Sequence, residues 1–165
     1  MKNTPVFISL AGLIFLFTLS SYGQMTDLSG DWALDRTKSD IVGNQIILVK
    51  ISIKVKGDSL LTLRVYETTD GQQHPFNENV SLDGKECKIY IYDMPRKAKA
   101  NWSGQDASLL FESTTTYTGN SGTADITIKE NWKIDTSKNN LTIDFKNIFP
   151  EGESSGTFYY NRETN

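Results

Sequence analysis

Polar and apolar residues alternate along most of this chain with a period of two. From Val49 to Lys56, Val49, Ile51, Ile53 and Val55 fall on one side, with Lys50, Ser52, Lys54 and Lys56 on the other. That period predicts a half-buried β-strand, in which successive side chains point to opposite faces of a sheet. After Gly57-Asp58 the alternation resumes, and Leu61, Leu63 and Val65 are expected to face inward with Thr62, Arg64 and Tyr66 outward. It returns over Cys87 to Tyr92, where Ile89 and Ile91 oppose Tyr90 and Tyr92, and over Ala98, Ala100 and Trp102 against Lys99 and Asn101. Leu109, Phe111, Ser113, Thr115 and Tyr117 share one side of a longer run. Ala124, Ile126, Ile128, Glu130, Trp132 and Ile134 do the same, followed by Leu141, Ile143 and Phe145. Gly30 to Asp35 reads as a first strand and Thr157 to Arg162 as a last one.

Turn residues separate these runs. Gly57-Asp58, Asp70-Gly71 and Asp83-Gly84 are tight-turn dipeptides, Asp93 to Arg96 breaks a run, and 118–123 is a loop of Gly, Asn, Ser and Thr. Arg36 to Gln45 is polar and irregular, suited to one helical turn or to a lid over a barrel mouth. Strands that return at once through short turns are antiparallel neighbours, so the expected fold is all-β, a meander of about eight to ten strands. The economical closed form is an up-and-down antiparallel β-barrel, which removes the exposed edges of an open sheet. A β-sandwich is the alternative, and it calls for longer crossovers than these turns provide.

The first residues follow a different pattern. Lys2 precedes an almost wholly apolar run from Val6 to Leu19, and Ser21-Tyr22-Gly23 places small residues where a signal peptidase reads them. Residues 1–23 are therefore expected to be a removable leader, leaving 24–165 as one domain, exported to the periplasm or secreted. The run is shorter than the roughly 20 residues that span a bilayer, so no stable membrane insertion is expected after removal. The chain carries 17 Lys and Arg against 20 Asp and Glu, a net charge of −3. Mild acidity with scattered basic residues argues against a nucleic-acid partner. Arg96-Lys97-Ala98-Lys99, the densest basic group, reads as a solvated strand edge. With Cys87 as the sole cysteine there is no internal disulfide, and burial must hold the fold.

Several short segments in order carry a family likeness: Leu28-Ser29-Gly30-Asp31-Trp32-Ala33-Leu34-Asp35 with Lys38-Ser39, Val80 to Glu86, Trp102-Ser103-Gly104, and Glu130 to Ile134. Together with the meander and the terminal aromatic-plus-Arg strand, the chain resembles small exported bacterial lipocalin-like, calycin-type barrels. The resemblance implies a barrel whose motif tryptophan, Trp32 after Gly30, packs across the base beneath a basic residue of the last strand, here Arg162.

Glu130 is the misfit in the pattern, because strand period points its carboxylate inward beside Ile128 and Trp132. A buried carboxylate must be paired or protonated, since an isolated charge costs several kcal/mol. It is expected either to pair with a Lys, Arg or Tyr, or to anchor a ligand's polar group in an apolar cavity. Trp102, Phe111, Tyr117 and Trp132 are candidates for core filling or for the walls of such a cavity. With His74 as the single histidine, histidine triads and multi-histidine metal sites are excluded, and no nucleophile elbow, phosphate loop or dinucleotide fingerprint occurs. Asp135, Ser137 and Asn139 lack the Gly and distal Glu of a calcium loop. The expectation is a barrel without catalytic residues, cofactor or metal, binding a small hydrophobic molecule inside. An interaction module acting through its surface or mouth loops is the alternative, and a small enzyme using Glu130 is a third reading.

Overall fold

A computed structural model describes residues 27–41, 46–104, 107–119, 122–135, 137 and 139–164. The expected leader, residues 1–23, lies outside the described residues, as do 42–45 of the expected lid. Ten strands follow in chain order: β1 (Gly30–Leu34), β2 (Ile47–Lys56), β3 (Ser59–Glu67), β4 (Gln73–Ser81), β5 (Cys87–Ile91), β6 (Met94–Trp102), β7 (Leu109–Gly119), β8 (Gly122–Asp135), β9 (Asn140–Phe149) and β10 (Gly152–Arg162). They form one antiparallel sheet in the order β4-β3-β2-β1-β10-β9-β8-β7-β6-β5. Every neighbour but one is a sequence neighbour, and the exception, β1 against β10, joins the two ends of the chain. The result is an up-and-down, nearly closed β-barrel.

The backbone ladder is interrupted only between β4 and β5. Side chains bridge that seam. Arg96 Nε on β6 lies 2.9 Å from Glu78 Oε1 on β4, and the Tyr92 hydroxyl donates to the Pro75 carbonyl at 2.6 Å. An Asp83–Asn101 bridge adds a backbone contact below it. The run from Cys87 ends where the Asp93 to Arg96 segment is expected to break it, with β5 stopping at Ile91. Tyr92 and Asp93, with φ of 47° and 66°, make a two-residue turn, and β6 continues straight through Pro95. Most of 118–123 belongs to the paired ends of β7 and β8.

One strand face runs opposite to the expectation. In β3 it is Leu60, Thr62 and Arg64 that are buried, whereas Leu61 and Leu63 are exposed. The register explains it. Directly opposed residues share a face, and β3 pairs Leu60 with Val55, Thr62 with Ile53 and Arg64 with Ile51. The inward isoleucines of β2 thus draw Thr62 and Arg64 inward with them. Gly57, at φ 57°, supplies the positive-φ residue of the two-residue turn that sets this pairing. Arg96 is a second correction, since it is 5 % exposed and not a solvated edge residue.

At one end of the barrel, Trp32 is buried and its Nε1 donates to the Leu28 carbonyl at 3.1 Å. The Arg162 guanidinium lies 4.3 Å from the ring centroid, opposite Trp32 in the β1–β10 register. Its Nη1 donates to the Ser29 carbonyl at 2.7 Å and its Nε to Asn139 Oδ1 at 2.7 Å. A guanidinium over an indole gains roughly 0.5–2 kcal/mol. Gly30 is what lets the arginine in: a Cβ there would stand 2.5 Å from Arg162 Nη1, and its φ of 144° disfavours any side chain.

Candidate functional site

The interior is crossed by charge. β3 and β8 stand five strands apart in the ten-strand order, on opposite walls of the barrel. Arg64 reaches from β3 to Glu130 on β8 and binds it through two parallel bonds, Nη1–Oε1 at 2.9 Å and Nη2–Oε2 at 2.8 Å. Its Nε lies 2.7 Å from Glu78 Oε2 on β4. Glu78 is shared in turn with Arg96, so two arginines and two glutamates form a chain across the tube and through the seam. Trp132 Nε1 donates to Glu130 Oε2 at 3.0 Å, and the Tyr66 hydroxyl accepts from Arg64 Nη1 at 3.3 Å. The guanidinium also lies 4.5 Å from the Phe111 ring centroid and 5.1 Å from that of Trp132. Bidentate pairing and flat aromatic contact both suit the planar guanidinium.

Burial and neighbouring charge act together on Arg64 and on two tyrosines of the interior. Burial alone would lower the affinity of Arg64 for its proton, but Glu130, then Glu78, hold the guanidinium well above its ordinary value. Burial raises the Tyr66 and Tyr160 phenols, and Glu130 adds to the rise in both. The Tyr160 hydroxyl is spent on the Leu48 carbonyl at 2.9 Å. Glu130 therefore sits beside a buried cation, and both of its oxygens are engaged, by two bonds from Arg64 and one from Trp132. Nothing in this arrangement resembles a general acid or base with a free face.

Of the residues singled out from the sequence, Phe111, Glu130 and Trp132 converge. Phe111 stands opposite Glu130 in the β7–β8 register, and its ring stacks on Trp132 at 5.7 Å. Trp102 is half-buried at the far end of β6, packed against the core. Tyr117 departs from the expected cavity wall: it is 52 % exposed, because the β7–β8 hairpin runs beyond the point where the core fills the barrel. Gly30, Trp32 and Arg162 meet at the barrel end described above. Sequence reasoning missed Arg64, Glu78 and Arg96. Two of the three belong to strands whose faces could be fixed only through pairing.

The inner wall leaves little room. Trp132, Arg64, Tyr160, Leu60, Ala100, Leu109, Leu141 and Ile143 have no surface accessible to water. A cavity holding even one water would expose some of that surface. Space is found instead outside. A groove of about 640 Å³ lies over β1 to β4, and its outward-facing side chains form two rows across the strands. One row is Asp31, Ser52, Leu63 and Asn77, and the other is Lys54, Leu61 and Asn79, each residue directly opposite the next in the register. Ser52 donates to Asp31. Among the described residues Lys54 has no carboxylate partner, whereas Lys50, Lys97, Lys99, Lys129 and Lys146 are all ion-paired. Among the described residues the Asn77 and Asn79 side chains, both exposed, have no hydrogen-bond partner.

Among the described residues no helix is long and apolar enough to cross a membrane, and no group of three or more His, Cys, Asp and Glu is placed to hold a metal. Comparison with protein-family models, with curated proteins and with solved structures gives no match to this chain.

Proposed function

We propose that this is an exported, non-enzymatic binding barrel that engages its ligand on the outer face of β1 to β4. A barrel of this kind is compatible with ligand binding. The observation that carries the choice of face is the pairing of a filled interior with an open groove of about 640 Å³, within the size range of small-ligand sites. The apolar-leader pattern of residues 6–23 supports export, and the short motifs from Leu28 to Ile134 support kinship with lipocalin-like barrels.

A second reading, a small polar molecule inside the barrel, is favoured by one feature. Arg96 Nη2 and Ser113 Oγ are buried without a hydrogen-bond partner, on neighbouring inward positions of β6 and β7.

One experiment separates the two. The protein, expressed with its leader in a bacterial host and isolated as the exported form, is screened by methyl NMR against mixed pools of short peptides, oligosaccharides and fatty acids. Binders are expected to shift the Leu61 and Leu63 methyls, and Leu63→Lys is expected to abolish the effect. Shifts confined to the inward Leu109 and Ile143 methyls and unaffected by Leu63→Lys would overturn the outer-face reading in favour of the interior one.

A further inference from the structure

We infer that the groove over β1 to β4 takes an extended peptide that carries alternating apolar side chains and a carboxylate. The inference rests on the outer-face reading and names the ligand class of that same site. It starts from the spacing of the groove's groups. Along a strand, residues two apart are separated by about 6.8 Å, the same distance at which an extended chain repeats its side chains on one face and its N–H and C=O groups on one edge. Leu61 and Leu63 are two apart and both exposed, at 36 % and 37 %. They offer two apolar contacts at the side-chain repeat of an extended ligand lying along β3.

Asn77 and Asn79 supply the second half of the match. They stand directly opposite Leu63 and Leu61 on β4, so their carboxamides flank the leucines at the same repeat. A carboxamide carries the donor and acceptor chemistry of a peptide group. Two of them, unengaged and two residues apart, present to a neighbouring chain what one edge of a β-strand would present. On the other flank Lys54 stands opposite Leu61. It is an exposed ammonium with no carboxylate partner among the described residues, whereas Lys50 on the same strand face is paired with Glu163. A side-chain or terminal carboxylate of the ligand completes it. Asp31, already engaged by Ser52, limits a second acidic group at the other end of that flank.

Peptide differs from the other amphiphiles of this size in needing both flanks at one spacing. A fatty acid would use Lys54 and the leucines and leave the amides idle. An oligosaccharide would use the amides and have no need of paired apolar contacts at the strand repeat.

The test is to pan a phage library of random seven-residue peptides on the full exported protein, with the Leu63→Lys variant as the counter-selecting surface. A glycan array and dodecanoate titration are run on the same two proteins. The expected result is enrichment of sequences with apolar residues at i and i+2 and an Asp or Glu nearby. A synthetic peptide of the enriched sequence should bind at least tenfold more weakly to Asn77→Ala/Asn79→Ala and to Lys54→Glu. Replacing its acidic residue by the amide should weaken wild-type binding and strengthen binding to Lys54→Glu, where the two carboxylates would repel. Glycans or dodecanoate that bind wild type but not Leu63→Lys, without peptide enrichment, would overturn the peptide assignment and leave the groove reading standing. Silence of all three probes at Leu63 would overturn both. Tryptophan near-ultraviolet dichroism of each variant confirms that these exposed substitutions leave the fold intact.

Discussion

Arg64 makes the barrel interior a matter of electrostatics as much as of packing. Its guanidinium is fully buried, touches two carboxylates on different strands, and is flanked by Phe111 and Trp132. Such a charge is tolerable only while its partners stay in place. Removing one partner of a buried pair typically costs about 3–5 kcal/mol, whereas replacing the whole pair by apolar groups is often neutral. Glu130→Ala is therefore expected to destabilise the protein by about 3–5 kcal/mol in urea unfolding, and Arg64→Met/Glu130→Leu by clearly less, despite the larger number of atoms changed. In the double variant Glu78 keeps Arg96 but loses Arg64, and Trp132 Nε1 loses its acceptor, so the residual cost reports these unpaired groups together with the packing of the new side chains. If the single and double variants lose the same stability, the Arg64–Glu130 bond is not what holds these two walls together.

At the scale of the strands, the orientation of β3 decides both the interior and the groove. The alternation of β2 and the turn at Gly57-Asp58 were both legible in the sequence, and together they contain the answer. A two-residue turn places Lys56 opposite Ser59, and opposed residues share a face, so Leu61 and Leu63 must join the lysines outside. Taken strand by strand, hydrophobicity gives the reverse, because leucines outnumber the one arginine that is buried. The cost of burying Arg64 is met by Glu130 and Glu78, which come from strands far away in sequence and cannot be weighed locally. The inward position of Glu130, by contrast, followed from β8 alone, where five apolar residues share its parity. Stability measurements test the orientation of β3 directly. Leu60→Ala, inside and fully buried, is expected to cost about 2–5 kcal/mol, and Leu61→Ala and Leu63→Ala less than about 1 kcal/mol each. Equal losses at positions 60 and 61 would contradict the register.

At the scale of the whole molecule, two walls carry groups whose ionisation the fold resists, and this makes the barrel's stability fall on the alkaline side. Tyr160 is fully buried and donates to Leu48, with its phenol held well above its ordinary value by burial and then by Glu130. Tyr66 is raised for the same first reason. A phenol whose folded value lies above its unfolded one stabilises fully below the unfolded value, near 10, and loses that contribution as pH rises further, because only the unfolded chain can release the proton. Tyrosinate absorbance from these two residues is thus expected to appear only with loss of tryptophan near-ultraviolet dichroism. Tyr160→Phe separates the contributions. At neutral pH it removes the buried bond to the Leu48 carbonyl, for a loss of about 1–3 kcal/mol. Above pH of about 10 wild type declines through Tyr160 and the variant does not, so the gap between them should narrow with rising pH. A gap that stays constant to the point of unfolding would mean that Tyr160 ionises in place, and that this part of the interior admits solvent.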